Sequence, residues 1–193
     1  FRPDCSCDIY LKTRDGRTAR EQLETLMSPP LWPVPPGALR ASLTFHDVPP
    51  SFDIGGIRVD TMEVPHPGGA TAYRLSWRET SVVYATDAEL LSEDVPAFCR
   101  FAGGCGLLLL DAQYSEAEYR VSRGFGHMTV DWAAEVARRC GARQTVLVHH
   151  APMRTDEQLL AWDQALRQKM AAIRFGRAGD ELTVEPMRTD LQG

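Results

Sequence analysis

The chain has 193 residues, 44% hydrophobic and 24% charged, with 15 Gly and 13 Pro. That composition excludes disordered and fibrous classes and allows a sizeable buried core. The 21 Lys and Arg against 26 Asp and Glu leave a net charge of −5, so there is no overall basic field to drive non-specific nucleic-acid binding.

The longest plain apolar run, Leu107 to Leu110, is far shorter than the roughly 20 residues that cross a bilayer, and residues 1–20 hold no signal-like stretch. A soluble, cytoplasmic chain without membrane contact is expected. Five cysteines, with Cys5 and Cys7 lacking a second pair at zinc-knuckle spacing, read as reduced thiols. Cys99, Cys105 and Cys140 are expected to be buried packing thiols. The sequence opens on Phe1 and reads as running text, so a fragment, a processed product or a trimmed chain is expected.

Residues 1–40 form a lead-in to a single domain whose main body is 41–193. Asp8 to Lys12 is a short strand candidate. Thr18 to Met27 reads as a helix, with Thr18 and Glu21 at capping-box spacing. Pro29 and Pro30 end it, and Pro33, Pro35, Pro36 and Gly37 suit a surface loop. From Leu43 the period drops towards two, giving strands at 43–45, 57–64, 72–77 and 81–85.

After Asp87 the pattern changes. A helix near 94–102 precedes an apolar strand at 107–110. A helix at 130–140 precedes an apolar strand at 145–148, and a helix runs from Asp156 to about Ala172 with Leu159, Leu160 and Leu166 inward. Alternating strands followed by fully apolar strands between helices predict an α/β (α+β layered) fold, its sheet covered by helices on one face.

Polar residues fall at the ends of four strand candidates: His66, Asp87, Asp111 and His149. Strand termini in a layered α/β fold converge on one edge, where sites are built. Imidazole and carboxylate are ligands for Zn²⁺, Mn²⁺ and Fe, and a carboxylate can bridge two ions. His66, Asp87 and His149 would then make half of a binuclear site, with Asp87 the bridge. Each residue also has an ordinary reading: a histidine as a loop donor, Asp87 as a helix cap.

The segments around these residues resemble the metallo-β-lactamase-fold metal-dependent hydrolases, in the branch similar to ribonuclease Z and related phosphodiesterases. Pro65-His66-Pro67-Gly68-Gly69 before Tyr73-Arg74 is similar to a ligand-bearing segment of that family. Tyr84-Ala85-Thr86-Asp87 is similar to the one that supplies the bridging Asp. Leu107 to Tyr114, Gly126-His127-Met128-Thr129 and Val146 to Pro152 follow in family order, with Met128 where the turn usually has Ser.

The resemblance implies an αββα sandwich and the metal ligands His66, Asp87 and His149, the last preferred to His150. It also implies catalytic residues His127 and Asp111, the imidazole acting near the scissile phosphate and the acid orienting it. Gly126 to Thr129 reads equally as a helix start, with Thr129 the cap and His127 exposed.

The family's His-x-His-x-Asp-His cluster is absent from residues 1–193, which implies that the amino-terminal part of the sandwich is missing. The implied activity of the full-length protein is hydrolysis of a phosphodiester or related ester by a hydroxide bridging two divalent metals, Zn with Mn or Fe as alternatives. A small-molecule or nucleotide-like ester is the expected substrate, extended nucleic acid is not expected, and a homo-oligomer is allowed. The alternative is a non-catalytic remnant or partner-binding half-domain, which would expose an apolar sheet face.

Overall fold

The computed structural model describes residues 4–184. They fall into two compact units, Phe1–Phe52 and Asp53–Gly193. In the first unit, strand β1 (Ser6–Leu11) pairs in parallel with β2 (Ser42–Asp47). Across that pair Tyr10 stacks on His46 with ring centroids 4.4 Å apart, and His46 Nε2 lies 2.7 Å from Asp8 Oδ1.

Helix α1 (Ala19–Leu26) opens on the expected capping box: Thr18 accepts from Glu21 N, while Glu21 accepts from Thr18 N. The proline-rich stretch is irregular apart from a single 3₁₀ turn, Pro36–Ala38.

The larger sheet has seven strands in the order β3 (Ser51–Ile54), β4 (Ile57–Val64), β5 (Ala70–Trp77), β6 (Thr80–Ala85), β7 (Leu107–Asp111), β8 (Gln144–Val148) and β9 (Ile173–Phe175). β4, β5 and β6 are antiparallel neighbours, and β6 through β9 are parallel. Two antiparallel steps make β4 point the same way as β6. The carboxyl ends of β4, β6, β7 and β8 therefore all reach one edge of the sheet.

Helices α2 (Val95–Ala102), α3 (Glu116–Ser122), α4 (Val130–Cys140) and α5 (Asp156–Lys169) lie in the crossovers between parallel strands. α4 packs on α2, β7 and β8, and α5 on β9. The face beneath them carries Ala72, Val83, Ala85, Leu108, Leu110 and Leu147, all fully buried, with Phe98 from α2 and Val136 from α4. Full burial of each Leu or Phe contributes about 1.5–3 kcal/mol.

Arg74 shares this face through its pairing with Val83. Its guanidinium donates to the Phe101 and Gly103 carbonyls, which are left free where α2 ends. The opposite face presents Leu75, Trp77 and Tyr84, all exposed.

The expected strands and helices are present, with small differences at their ends. α5 stops at Lys169, where Met170 caps it, and the chain turns straight into β9. Leu160, expected inward, is exposed because the helix buries Asp163 and Leu166 instead. Cys99 is half-buried, and its Sγ lies 3.2 Å from that of buried Cys140. β3, α3 and β9 were not anticipated. Among the described residues no helix is long and apolar enough to cross a membrane.

Candidate metal centre

β4, β6, β7 and β8 each deliver one candidate side chain to the shared edge. His66 sits two residues beyond β4, Asp87 two beyond β6, and His149 directly after β8, while Asp111 is the last residue of β7. Asp87 and His149 take the left-handed backbone conformation, with φ of 55° and 62°. This conformation is uncommon for non-glycine residues and costs of order 1–3 kcal/mol.

Asp87 Oδ1 lies 3.8 Å from His66 Nε2 and 3.7 Å from His149 Nε2. Both separations exceed hydrogen-bond reach. Donor atoms on one tetrahedral ion with bonds of about 2.0–2.1 Å stand about 3.4 Å apart, so an ion fits between each imidazole and the carboxylate with a small contraction. Among the described residues, two groups of three have ligand atoms within 4.8 Å of one another: His66 with Asp87 and His127, and Asp111 with His127 and His149. The two groups share His127, and neither holds His66 and His149 together. On donor chemistry and spacing the residues fit divalent metal.

His149 and His150 are separated by geometry. His149 faces Asp87, and its ring stacks on that of His127 with centroids 4.8 Å apart. His150 turns away, with Nε2 3.3 Å from the Gly176 carbonyl and its ring 5.2 Å from that of Phe175. Burial pushes the His150 imidazole below its ordinary range.

Asp111 is fully buried. Its Oδ2 accepts from the Asp87 backbone N–H at 3.0 Å and lies 2.9 Å from His127 Nδ1, and its Oδ1 accepts from Met128 N at 3.2 Å. Burial pushes this carboxyl up, and its donors partly offset the effect. With Nδ1 turned to Asp111, His127 is left with Nε2 for other chemistry.

The helix-start reading of Gly126 to Thr129 holds in part. Thr129 caps α4, its hydroxyl accepting from Trp132 N. His127, which a simple cap would leave exposed, is buried instead. Main-chain bonds from Tyr114 N to Met128 O and from Val130 N to Tyr114 O tie this turn to the segment that extends β7.

Three contributors escaped the sequence reading. Gly126, at φ 96°, lies so close to His66 that a Cβ there would overlap the imidazole ring. Arg154, nearly buried, bonds Glu118 at 2.7 Å and stacks on Trp162 at 4.2 Å, tying the segment after His149 to α3 and α5. Buried Glu89 receives hydrogen bonds from the loop before His127. Burial acts to raise its carboxyl, but bonds from Gly124, Tyr119 and Gly126 outweigh that effect and hold it below the ordinary range.

Residues 19–150 match the model of the beta-lactamase superfamily domain, and the chain belongs to that family. Its fold is the metallo-beta-lactamase fold, which generally binds divalent metals. Among solved structures it resembles YhfI, a metallo-beta-lactamase fold protein from Bacillus subtilis, at 17% identity and a TM-score of 0.66, covering 91% of this chain and 64% of that one. A diphosphatase from the PhnP family is similar at 21% identity and a TM-score of 0.55, over 74% of this chain and 49% of that one. The short form of human tRNase Z is similar at 16% identity and a TM-score of 0.54, over 70% and 48%. The chain thus spans less than two thirds of each of these proteins. No curated protein matches it.

Proposed function

We propose that this chain carries one part of a metal-dependent hydrolase site acting on a phosphodiester or related ester. The observation that carries the reading is the meeting, at one sheet edge, of a three-residue ligand set and a buried acid–imidazole pair. Zn²⁺ is the preferred ion on its affinity for mixed imidazole and carboxylate donors, with Mn²⁺ and Fe as alternatives. His66 and Asp87 would hold one ion and Asp87 and His149 the other. When bound, divalent metal lowers the pKa of water and polarises a phosphoryl oxygen.

The protein's own contribution is positional and acid–base. Asp111 holds the His127 ring by Nδ1, so that Nε2 is the atom able to hand a proton to a leaving oxygen. The stacked His149 ring fixes the plane of that imidazole. The related PhnP-family diphosphatase and tRNase Z support a phosphate ester over a lactam. The acidic net charge favours a small or nucleotide-like ester over extended nucleic acid.

The test is hydrolysis of bis(p-nitrophenyl) phosphate by the chain loaded with Zn²⁺ or Mn²⁺. Metal-dependent turnover lost in His149→Ala supports the reading, and no turnover under any metal overturns it for this chain. Exposed Leu75, Trp77 and Tyr84 favour a second reading, a partner-binding module that can include a second copy of the chain. Self-association without metal uptake supports that alternative.

A further inference from the structure

We propose that Glu89 is a positioning residue, fixing the loop that carries His127 against the loop that carries His66. Its consequence for turnover rests on the hydrolase reading above; its consequence for geometry does not. Glu89 is 7% exposed and lies two residues beyond Asp87. Its Oε1 accepts from the Tyr119 hydroxyl at 2.7 Å and from Gly124 N at 2.8 Å, and its Oε2 accepts from Gly126 N at 2.9 Å. Its own backbone N–H donates to the Pro65 carbonyl at 2.9 Å. One residue therefore grips the position before His66 with its main chain and the position before His127 with its side chain.

The gripped segment has no regular structure to hold it. Gly124 and Gly126 adopt φ of 86° and 96°, outside both helix and strand conformation, and their N–H groups turn to the Glu89 carboxylate. A carboxylate with two acceptor oxygens meets both donors at once. The distance it sets matters, because Gly126 abuts the His66 ring and the His66 and His127 centroids stand 5.7 Å apart in edge contact. Relaxing the Gly126 bond frees the loop to lift the His127 ring from His66. A residue needed for packing alone would not be a buried carboxylate, since burying that group is costly without such donors.

The substitution Glu89→Gln keeps the size of the side chain and one acceptor oxygen. If that oxygen serves Tyr119 and Gly124, the amide nitrogen faces the Gly126 N–H, donor against donor. The full chain with isotope-labelled histidines, in its metal-free form, reports the ring positions by NMR. In Glu89→Gln the His66 and His127 ring resonances are expected to move while those of His46 stay. In the Zn²⁺-loaded chain, kcat on bis(p-nitrophenyl) phosphate is expected to fall at least ~10-fold with KM little changed, as when a ligand's supporting hydrogen bond is removed.

Resonances of His66 and His127 at their original positions would overturn the proposal, whatever happens to the melting temperature. Should Glu89→Gln fail to fold, Glu89→Asp keeps the charge but is one methylene too short to reach all three donors. It is expected to move the same two rings, and unmoved rings overturn the proposal there too. If the unsubstituted chain does not turn over the diester, the hydrolase reading fails while the ring resonances still decide the role of Glu89.

Discussion

Asp87 and His149 share a left-handed backbone at φ 55° and 62°, and both sit where a parallel strand stops. Strain of this kind persists when surrounding contacts over-determine it, as the Asp87 N–H bond to Asp111 does here. The identities of these residues were legible in the sequence because each follows a run of strand-like residues. Their left-handed backbone was not, since Asp and His tolerate that conformation more often than most residues but do not require it.

The acid–imidazole pair gives the first residue-scale prediction. His127→Ala is expected to lower kcat on bis(p-nitrophenyl) phosphate at least ~10²-fold, the contribution of a positioned general acid; an unchanged kcat rejects that role. Gly126→Ala gives the second. The new methyl would strike the His66 ring, so the ring must rotate off Asp87. Zn²⁺ affinity, measured by competition with a chromogenic chelator, is expected to fall at least ~10-fold. Affinity equal to that of the unsubstituted chain would show that the ring yields without leaving the site.

α3 shows at the scale of elements why part of the fold could not be read. It spans seven residues, buries none of them, and so has no apolar period to detect. Its local mark is the capping box, with Ser115 accepting from Glu118 N and Glu118 accepting from Ser115 N. β9 is three residues long and follows α5 at once, so its pattern merges with the helix before it. α4 and β7, by contrast, have long apolar patterns and were legible.

What holds α3 in place is tertiary, chiefly Arg154 on Glu118, across 36 residues of sequence. The hydrogen bond from Arg154 outweighs burial, and with Ser115 it holds the Glu118 carboxyl down at about 2. A carboxyl depressed in the folded state contributes stability that is complete above its unfolded value near 4.5. That contribution is lost as pH falls towards 2. Because 41% of the Glu118 side chain is exposed, solvent screening limits it to about 1 kcal/mol. Urea unfolding of Glu118→Gln is therefore expected to show a deficit of about that size at pH 7 that shrinks between pH 4.5 and 2. A deficit independent of pH would mean that the ion pair is not its source.

At the scale of the whole molecule, the sheet is what assembles the centre. His66 and His149 are far apart in sequence and meet only because β4, β6, β7 and β8 end along one edge. The apolar runs of β7 and β8 and the alternation of β4 and β5 made that sheet legible. The clamp of Glu89 on Gly124 and Gly126 was not, because it joins segments 35–37 residues apart without a local pattern.

A site made only by the folded sheet ties metal binding to stability, since an ion held by the native chain and not by the unfolded one stabilises it. At 100 times the dissociation constant the gain is about 2.7 kcal/mol, or roughly 5–10 °C in melting temperature for a chain of this size. Zn²⁺ is thus expected to raise the thermal midpoint by that amount and a chelator to reverse it. His149→Ala, which keeps only the His66 and Asp87 pair, should lessen the shift, whereas His46→Ala, in the first unit beside Asp8, should leave it whole. An equal shift in the His149→Ala chain would place the bound ion elsewhere and remove the metal centre from the end of β8.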